Sequence, residues 1–483
     1  MSDPAAVRRR SILLIVATAQ LMVVLDSTII NVALPSAQAS LGFPDSARQW
    51  AITSYALAFG GLVLLGGRIG DRFGYKRSFV TGLLGFAVAS AVGGSVSDFG
   101  LFVGARLLQG MSAALLAPAA LSMLAGAFRD PRERGRAFAV YSGVAGCGAA
   151  AGMLLGGVLT EYASWRWCFF INLVFAAVAG IGALLALPRE VVTVRPRLDL
   201  SGSTLAVSGL FLLIYGFSSA ETRGWVDPVT LSCLGVSLGL LATFAVVERI
   251  VTGPLLPPWV VADGLRGSAY IALGVGMLSL FSVFLLLTYY LQSVLALSPI
   301  ATGLTFLPLV AAIFIGSSGG NILLLPRFGV RPVVCAGLVL AAAGLVCLSW
   351  TVADGHGVAI VPPSLVLLGV GLGLCFGPSV NAATQRIPPG DAGIASAVVN
   401  TMQQVGGSVG AALSSTIAAG AAGSYRRAHP GSPLQAAAHG YATAFLVAAG
   451  LLVAAAVSVL VLAAVAARIH PAVGATIPVD GVT

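Results

Sequence analysis

Apolar residues run along this chain in long blocks separated by short polar breaks, the pattern of helices that meet lipid. A helix that crosses a bilayer needs about 20 mostly apolar residues. Blocks of that kind cover 11–34, 49–67, 78–97, 99–127, 137–160, 167–187, 200–218, 229–247, 267–291, 301–325, 332–352, 359–383, 392–420 and 439–467. Between Gly267 and Pro326 there is no charged residue. That run is too long for one span, and Leu297-Ser298-Pro299 supplies the break. The expectation is an all-α membrane protein of fourteen spans, which puts both termini on one side.

The polar breaks give the orientation. Twenty of the 26 basic residues fall on the side of Arg8, Arg9 and Arg10, and five (Arg48, Arg166, Arg223, Arg426, Arg427) fall on the other. Positively charged loops stay in the cytoplasm, so both termini are expected there. The remaining basic residue, Arg106, lies inside a span. Composition agrees with lipid as the main solvent: 58% of residues are hydrophobic and 9% charged, against about 25% charged in soluble chains. The net charge of +9 is then the cytoplasmic excess of a membrane protein, and no nucleic-acid partner is expected. The six cysteines lie in apolar stretches without ligand spacing, and the four histidines are scattered. No metal is expected. There is no G-x-x-x-x-G-K-[ST] loop, so neither a cofactor nor ATP is expected as the direct energy source. The first block is long enough to span and carries Asp26, which reads as a helix and not as a cleaved signal.

The chain also repeats itself. Gly70-Asp71-Arg72-Phe73-Gly74-Tyr75-Lys76-Arg77 follows the second block, and Pro326-Arg327-Phe328-Gly329-Val330-Arg331 follows the tenth, at an offset of 255. Leu107-Leu108 before Pro118 matches Leu367-Leu368 before Pro378 at 260, and Gly135-Arg136-Ala137 matches Gly393-Ile394-Ala395 at 258. Two six-helix halves, 1–190 and 251–483, are expected around two inserted helices in 191–250. Paired repeats flanking a central site are the architecture of alternating-access carriers.

Three motifs carry a family resemblance. Gly67-Arg68-Ile69-Gly70-Asp71-Arg72-Phe73-Gly74-Tyr75-Lys76-Arg77 resembles the cytoplasmic signature of the major facilitator superfamily. Leu25-Asp26-Ser27-Thr28-Ile29-Ile30-Asn31-Val32-Ala33-Leu34-Pro35 is similar to the first-helix motif of its fourteen-helix drug:proton antiporter branch, of QacA/EmrB type. Trp165-Arg166-Trp167-Cys168-Phe169-Phe170-Ile171-Asn172 resembles that branch's entry to the sixth helix. The resemblance implies a proton-coupled efflux carrier of the bacterial inner membrane, exporting small lipophilic drugs or antibiotics, with the proton gradient as energy source. A monomer is expected. Within the signature, Gly67, Asp71, Arg72, Gly74 and Arg77 are the gating candidates: Gly74 permits a tight turn, and the resemblance gives Asp71 a part in latching the halves. The second-half copy has Leu325-Pro326 where the acid would be.

By this topology, Asp26 and Arg106 are the charged residues placed well inside the hydrocarbon. Counted from the outer ends of their helices, both sit roughly 10–14 Å deep at 1.5 Å per residue. Opposite charges at matching depth can meet, and charges there pair and function. Desolvation favours the neutral form of a carboxyl and a neighbouring guanidinium favours the ionised one, so such a pair suits proton coupling. A static ion pair that fixes helix packing is the plainer account. Gly148, Gly152 and Gly156 share one helix face, and the resemblance makes them a helix-five seam on which the halves rock. That motif usually carries proline where this chain has Met153. Candidates for the substrate cavity are Tyr55, Gln109, Tyr289, Gln292, Asn400 and Gln403, since polar groups at lipid depth point inward. With Asp26 as the one deep acid, the expected substrate is neutral or singly charged. Two other readings stay open: a proton-coupled metabolite transporter on the same fold, and a membrane-embedded enzyme or lipid translocase. The last would need a catalytic cluster that the helices do not offer.

Overall fold

The computed structural model describes residues 4–128, 130–187, 200–251, 264–353, 361–384, 392–429 and 431–469. The expected boundary at 190/191 lies outside them, as do Arg129, Arg189, Arg195, Arg197 and Arg386 of the basic count. The described chain is helical: α1 Pro4–Leu41, α2 Arg48–Phe73, α3 Tyr75–Ser95, α4 Phe99–Ala127, α5 Pro131–Tyr162, α6 Trp167–Ala186, α7 Leu200–Arg223, α8 Pro228–Ile250, α9 Gly264–Tyr289, α10 Pro299–Gly319, α11 Val330–Ala353, α12 Val361–Thr384, α13 Ala392–Ala428 and α14 Pro433–Ile469, with a single helical turn at Leu325–Phe328. Among the described residues, eleven helices are long and apolar enough to cross a membrane, or twelve if the bent α2 counts as one span. The break in α2 is a 52° bend between Val63 and Leu65, flanked by Gly60-Gly61 and Gly66-Gly67, the kind of residue at which helices kink. The apolar part of α7 is shorter, Ser201–Phe217.

Local chemistry explains where several helices begin. Asp98 accepts from Leu101 N at 2.9 Å and caps α4, and Asp227 caps α8 through Val229 N at 2.9 Å. Ser298 accepts from Ala301 N at 3.3 Å, with Pro299 at the first helical position. That is the break expected at Leu297-Ser298-Pro299, preceded by a π-helical turn over Tyr290–Val294. Pro35, just past the first apolar block of 11–34, lies within α1.

The helices pack as two groups of six, α1–α6 and α9–α14. Glycine allows the closest crossings. A Cβ at Gly66 would sit 1.9 Å from the Ala114 carbonyl oxygen where α2 meets α4, and one at Gly371 would sit 2.3 Å from Ala341 N where α12 meets α11. The groups meet where α2 packs on α13 and α5 on α10. α8 is largely exposed to its surroundings, whereas α7 packs on α2, α13 and α8 and so touches both groups. Tyr215 of α7 faces Trp50 with ring centroids 6.0 Å apart.

Candidate functional site: a buried ion pair beside the seam

Asp26 of α1 and Arg106 of α4 meet in the first helix group. Arg106 Nη1 donates to Asp26 Oδ2 at 2.7 Å, and both side chains are at most 2% exposed. The pair is embedded in donors and acceptors. Asp26 Oδ1 accepts from Gln109 Nε2 at 2.9 Å and from Asn172 Nδ2 at 2.6 Å. Arg106 Nη1 also donates to Gln109 Oε1 at 2.8 Å, and its Nε donates to the Ala51 carbonyl at 3.0 Å. Ser90 Oγ accepts from Gln109 at 2.8 Å and from Asn172 at 3.3 Å. Five helices (α1, α2, α3, α4 and α6) thus hold one carboxylate and one guanidinium in the buried interior. A buried ion pair is tolerated only when its remaining hydrogen-bonding capacity is met in this way. The Arg106 guanidinium also lies 4.6 Å from the Tyr55 ring centroid and 6.0 Å from that of Phe169.

The pair borders the seam between the helix groups. Arg106 and Tyr55 line a narrow cleft with Ser27, Ile52, Ala56, Phe281 and Gln404. Its volume is about 10 Å³, room for roughly one water. Of the expected cavity residues, Tyr55 faces this cleft. Gln109 is fully buried within the ion-pair network. Asn400 and Gln403 are half-buried on α13, while their neighbours Thr401 and Gln404 pack on Gly60 of α2. Tyr289 and Gln292 lie toward the end of the bundle opposite the Arg68–Arg77 loop, here called the distal end. There Tyr289 Oη donates to Gln38 Oε1 at 2.8 Å, Arg48 sits 3.8 Å from the Tyr289 ring centroid, and Gln292 Nε2 donates to the Val32 carbonyl at 3.1 Å. Glu161 accepts from Ile300 N at 3.1 Å on the same side. These contacts join the two groups, so the distal end is closed.

On α5, added Cβ atoms at Gly148, Gly152 and Gly156 would meet Leu21, Thr28 and Ile29 of α1, at 3.0, 1.9 and 2.8 Å. The three glycines serve a crossing inside the first group. Contact with the second group runs one residue round the helix: Gly303 packs on the Met153 carbonyl, and Gly157 packs on Pro299 and Ile300. In the loop between α2 and α3, Gly74 has φ +97°, a conformation that favours glycine, and its N–H caps α2 on Gly70. Asp71 accepts from Tyr75 Oη at 2.5 Å within that turn. Gly67 is open beside Pro118, Arg72 stands 5.8 Å from the Phe73 ring and Arg77 is exposed.

Ser90 and Asn172 were not among the expected site residues. Asn172 lies in the Trp165–Asn172 motif, but a neutral amide or hydroxyl inside a helix often bonds its own backbone, so sequence gives it no partner. Glu248 and Arg266 are also buried, near the ends of α8 and α9 that adjoin the same side as the Arg68–Arg77 loop. Among the described residues no cluster of three or more His, Cys, Asp or Glu could hold a metal.

A polytopic helical bundle in two groups, closed at one end across a seam that borders a buried charge pair, defines a membrane carrier. The chain belongs to the Major Facilitator Superfamily, whose family pattern matches residues 16–411. It is a multi-pass membrane transporter and not an enzyme. It is 47% identical over 451 residues to a puromycin resistance protein of Streptomyces alboniger, covering 92% of this chain and 89% of that one. It is 36% identical over 464 residues to a cephamycin export protein of Amycolatopsis lactamdurans, covering 95% and 94%. The crystal structure of the POT family transporter PepTSo superposes with a TM-score of 0.69 at 18% identity, covering 95% of this chain and 99% of that one, a likeness of fold.

Proposed function

We propose that this protein is a proton-driven antibiotic exporter of the fourteen-helix drug:proton antiporter branch. The observation that carries the reading is the Asp26–Arg106 pair, buried yet bordering the cleft between the helix groups. The names of its relatives point to antibiotics as the cargo, and 47% identity to the puromycin resistance protein favours an aminonucleoside of the puromycin kind. In this reading α2, α5 and α7 count as spans beside the eleven apolar helices. The functional halves are 1–190 and 251–483, with 191–250 inserted, and the protein acts as a monomer. The basic loops hold both termini in the cytoplasm of a bacterial cell, so the distal end faces outward and the state described is closed to the outside.

Transport then follows from charge. A proton that reaches Asp26 from outside removes the negative half of the pair. Arg106 keeps the Ala51 carbonyl and Gln109 Oε1 but loses its counter-ion in a low-dielectric interior, which biases the bundle toward another arrangement. Exchange of one proton for one monocation is electroneutral, which suits a substrate of at most one positive charge.

The test has two arms. Expression in an efflux-deficient host should raise the minimum inhibitory concentration of puromycin. In inverted vesicles, puromycin should release protons from the energised lumen. Uptake into whole cells in place of export would reverse the direction assigned here, and puromycin movement without proton movement would remove the coupling.

A further inference from the structure

The Tyr55 hydroxyl is buried and has no hydrogen-bond partner among the described residues, and the residue is 3% exposed. An unpaired buried hydroxyl is costly, and the Tyr55 backbone is held by close packing. Its carbonyl lies against Gly110, where an added Cβ would come within 2.3 Å. The ring carries the Arg106 guanidinium at 4.6 Å, and Tyr55 and Arg106 together line the cleft that Phe281 and Gln404 of the second helix group complete. Tyr55 therefore touches both the charge pair and the space that crosses the seam.

We propose that Tyr55 is the specificity-determining residue that links cargo to the ion pair. When the cleft widens, its hydroxyl donates to an acceptor atom on an aromatic cargo, while Phe281 offers a ring and Gln404 a side-chain amide from the opposite group. The same ring contacts Arg106, so cargo that engages Tyr55 also alters the support of the guanidinium. The substrates favoured are aromatic, with at most one positive charge and at least one hydrogen-bond acceptor. This rests on the export reading above and names the part of the cleft that selects the cargo.

The experiment compares two probes on purified full-length protein in lipid nanodiscs: puromycin, which has aromatic rings and several acceptors, and tetraphenylphosphonium, an aromatic monocation with none. Tyr55→Phe keeps the ring and removes the hydroxyl. It is expected to weaken puromycin binding roughly 3- to 10-fold, the worth of one hydrogen bond, and to leave tetraphenylphosphonium within about 2-fold on the same scale. Tyr55→Leu also removes the ring from Arg106, and in proteoliposomes it should reduce proton movement per molecule transported for both probes, where Tyr55→Phe does not. An unchanged melting temperature for Tyr55→Phe excludes a folding defect as the cause. Equal losses for both probes, or none for puromycin, would overturn the role of Tyr55 while the export reading stands. Wild-type protein that binds neither probe would overturn the export reading and this assignment together.

Discussion

The ion pair makes a demanding prediction about charge balance. In Asp26→Asn, the amide oxygen can take the place of Oδ1 and still accept from Gln109 and Asn172, which now stand at 2.9 and 2.6 Å. The amide nitrogen must then face Arg106 Nη1 across what is now a 2.7 Å contact, donor against donor. A protonated aspartic acid differs, because one oxygen still carries a lone pair toward the guanidinium. Asp26→Asn is therefore an imperfect mimic of the protonated state and leaves a buried cation without its counter-ion. Removing one partner of such a pair costs about 3–5 kcal/mol. Arg106→Gln strands the carboxylate and should cost a similar amount. The two substitutions together leave a neutral amide pair, with donors and acceptors that can be matched again.

The expected order of stability is wild type first, the double variant next and the two singles last. Thermal unfolding in detergent should place the singles roughly 6–10 °C below wild type, using about 2 °C per kcal/mol for a large chain. The double variant should recover at least half of that loss. Asp26→Asn and the double variant should fail in transport driven by a pH gradient, since neither retains a group at position 26 that exchanges a proton. A double variant no more stable than either single would refute the charge-balance argument. Gradient-driven export by Asp26→Asn would show that another group carries the proton.

Four further outcomes test the packing. Gly66→Ala places a methyl group 1.9 Å from the Ala114 carbonyl and should cost at least about 1–3 kcal/mol by overpacking, seen as a lower melting temperature. Gly67→Ala, whose nearest neighbour is Pro118 at 3.7 Å, should melt close to wild type. Gly157→Val puts a side chain 2.8 Å from the Pro299 carbonyl and Ile300 Cα; the spin-label distance between the distal ends of α5 and α10 should lengthen, and an unchanged distance would count against that seam. Arg48→Ala removes both the contact with Tyr289 and the hydrogen bond to Gln38 at 2.9 Å, whereas Tyr289→Phe removes a single hydroxyl. Labelling of Ser27→Cys by a water-soluble thiol reagent, in a background without other cysteines, should therefore rise more with Arg48→Ala.

The long apolar blocks set the helices because span length is a property of each segment alone, and α4 begins and ends at the residues expected, Phe99 and Ala127. The charge pair was legible for a related reason: two lone charges at one depth leave few alternatives to meeting. The polar residues around it were less so. Gln109 reads as a cavity residue until Ser90, Asn172 and Asp26 are seen to surround it, and nothing in the spacing of Ser90 or Asn172 says that α3 and α6 turn those faces inward. Close crossings were hidden too. Gly66 and Gly67 are adjacent and chemically identical, yet α4 presses on the first, and that depends on how a distant helix approaches. Likewise a 3.6-residue period identifies the common face of Gly148, Gly152 and Gly156, but it cannot say whether α1 or α10 lies against it.

Under the proposed function, the repeat suggests a division of work between the two helix groups. At offsets of 255–260 residues, the stretch that corresponds to Asp26 runs from Phe281 to Leu286, and the position that corresponds to Arg106 is Val366. Where the first group has a charge pair, the second has aromatic and aliphatic side chains: Phe284 stacks edge-on against Phe306 with centroids 5.5 Å apart, and Phe281 borders the cleft. A charge in the second group would need its own set of hydrogen-bonding partners to be tolerated, and an apolar wall needs none. In the proposed mechanism, proton chemistry in one group and apolar cargo contact in the other cannot communicate through either group alone. They communicate across the cleft, where Tyr55 and Arg106 of the first group face Phe281 and Gln404 of the second. In that mechanism a change of charge at Asp26 alters the wall of the cleft formed by the first group, and a filled cleft alters the surroundings of the charge. That reciprocity is what thermodynamic coupling between two ligands requires.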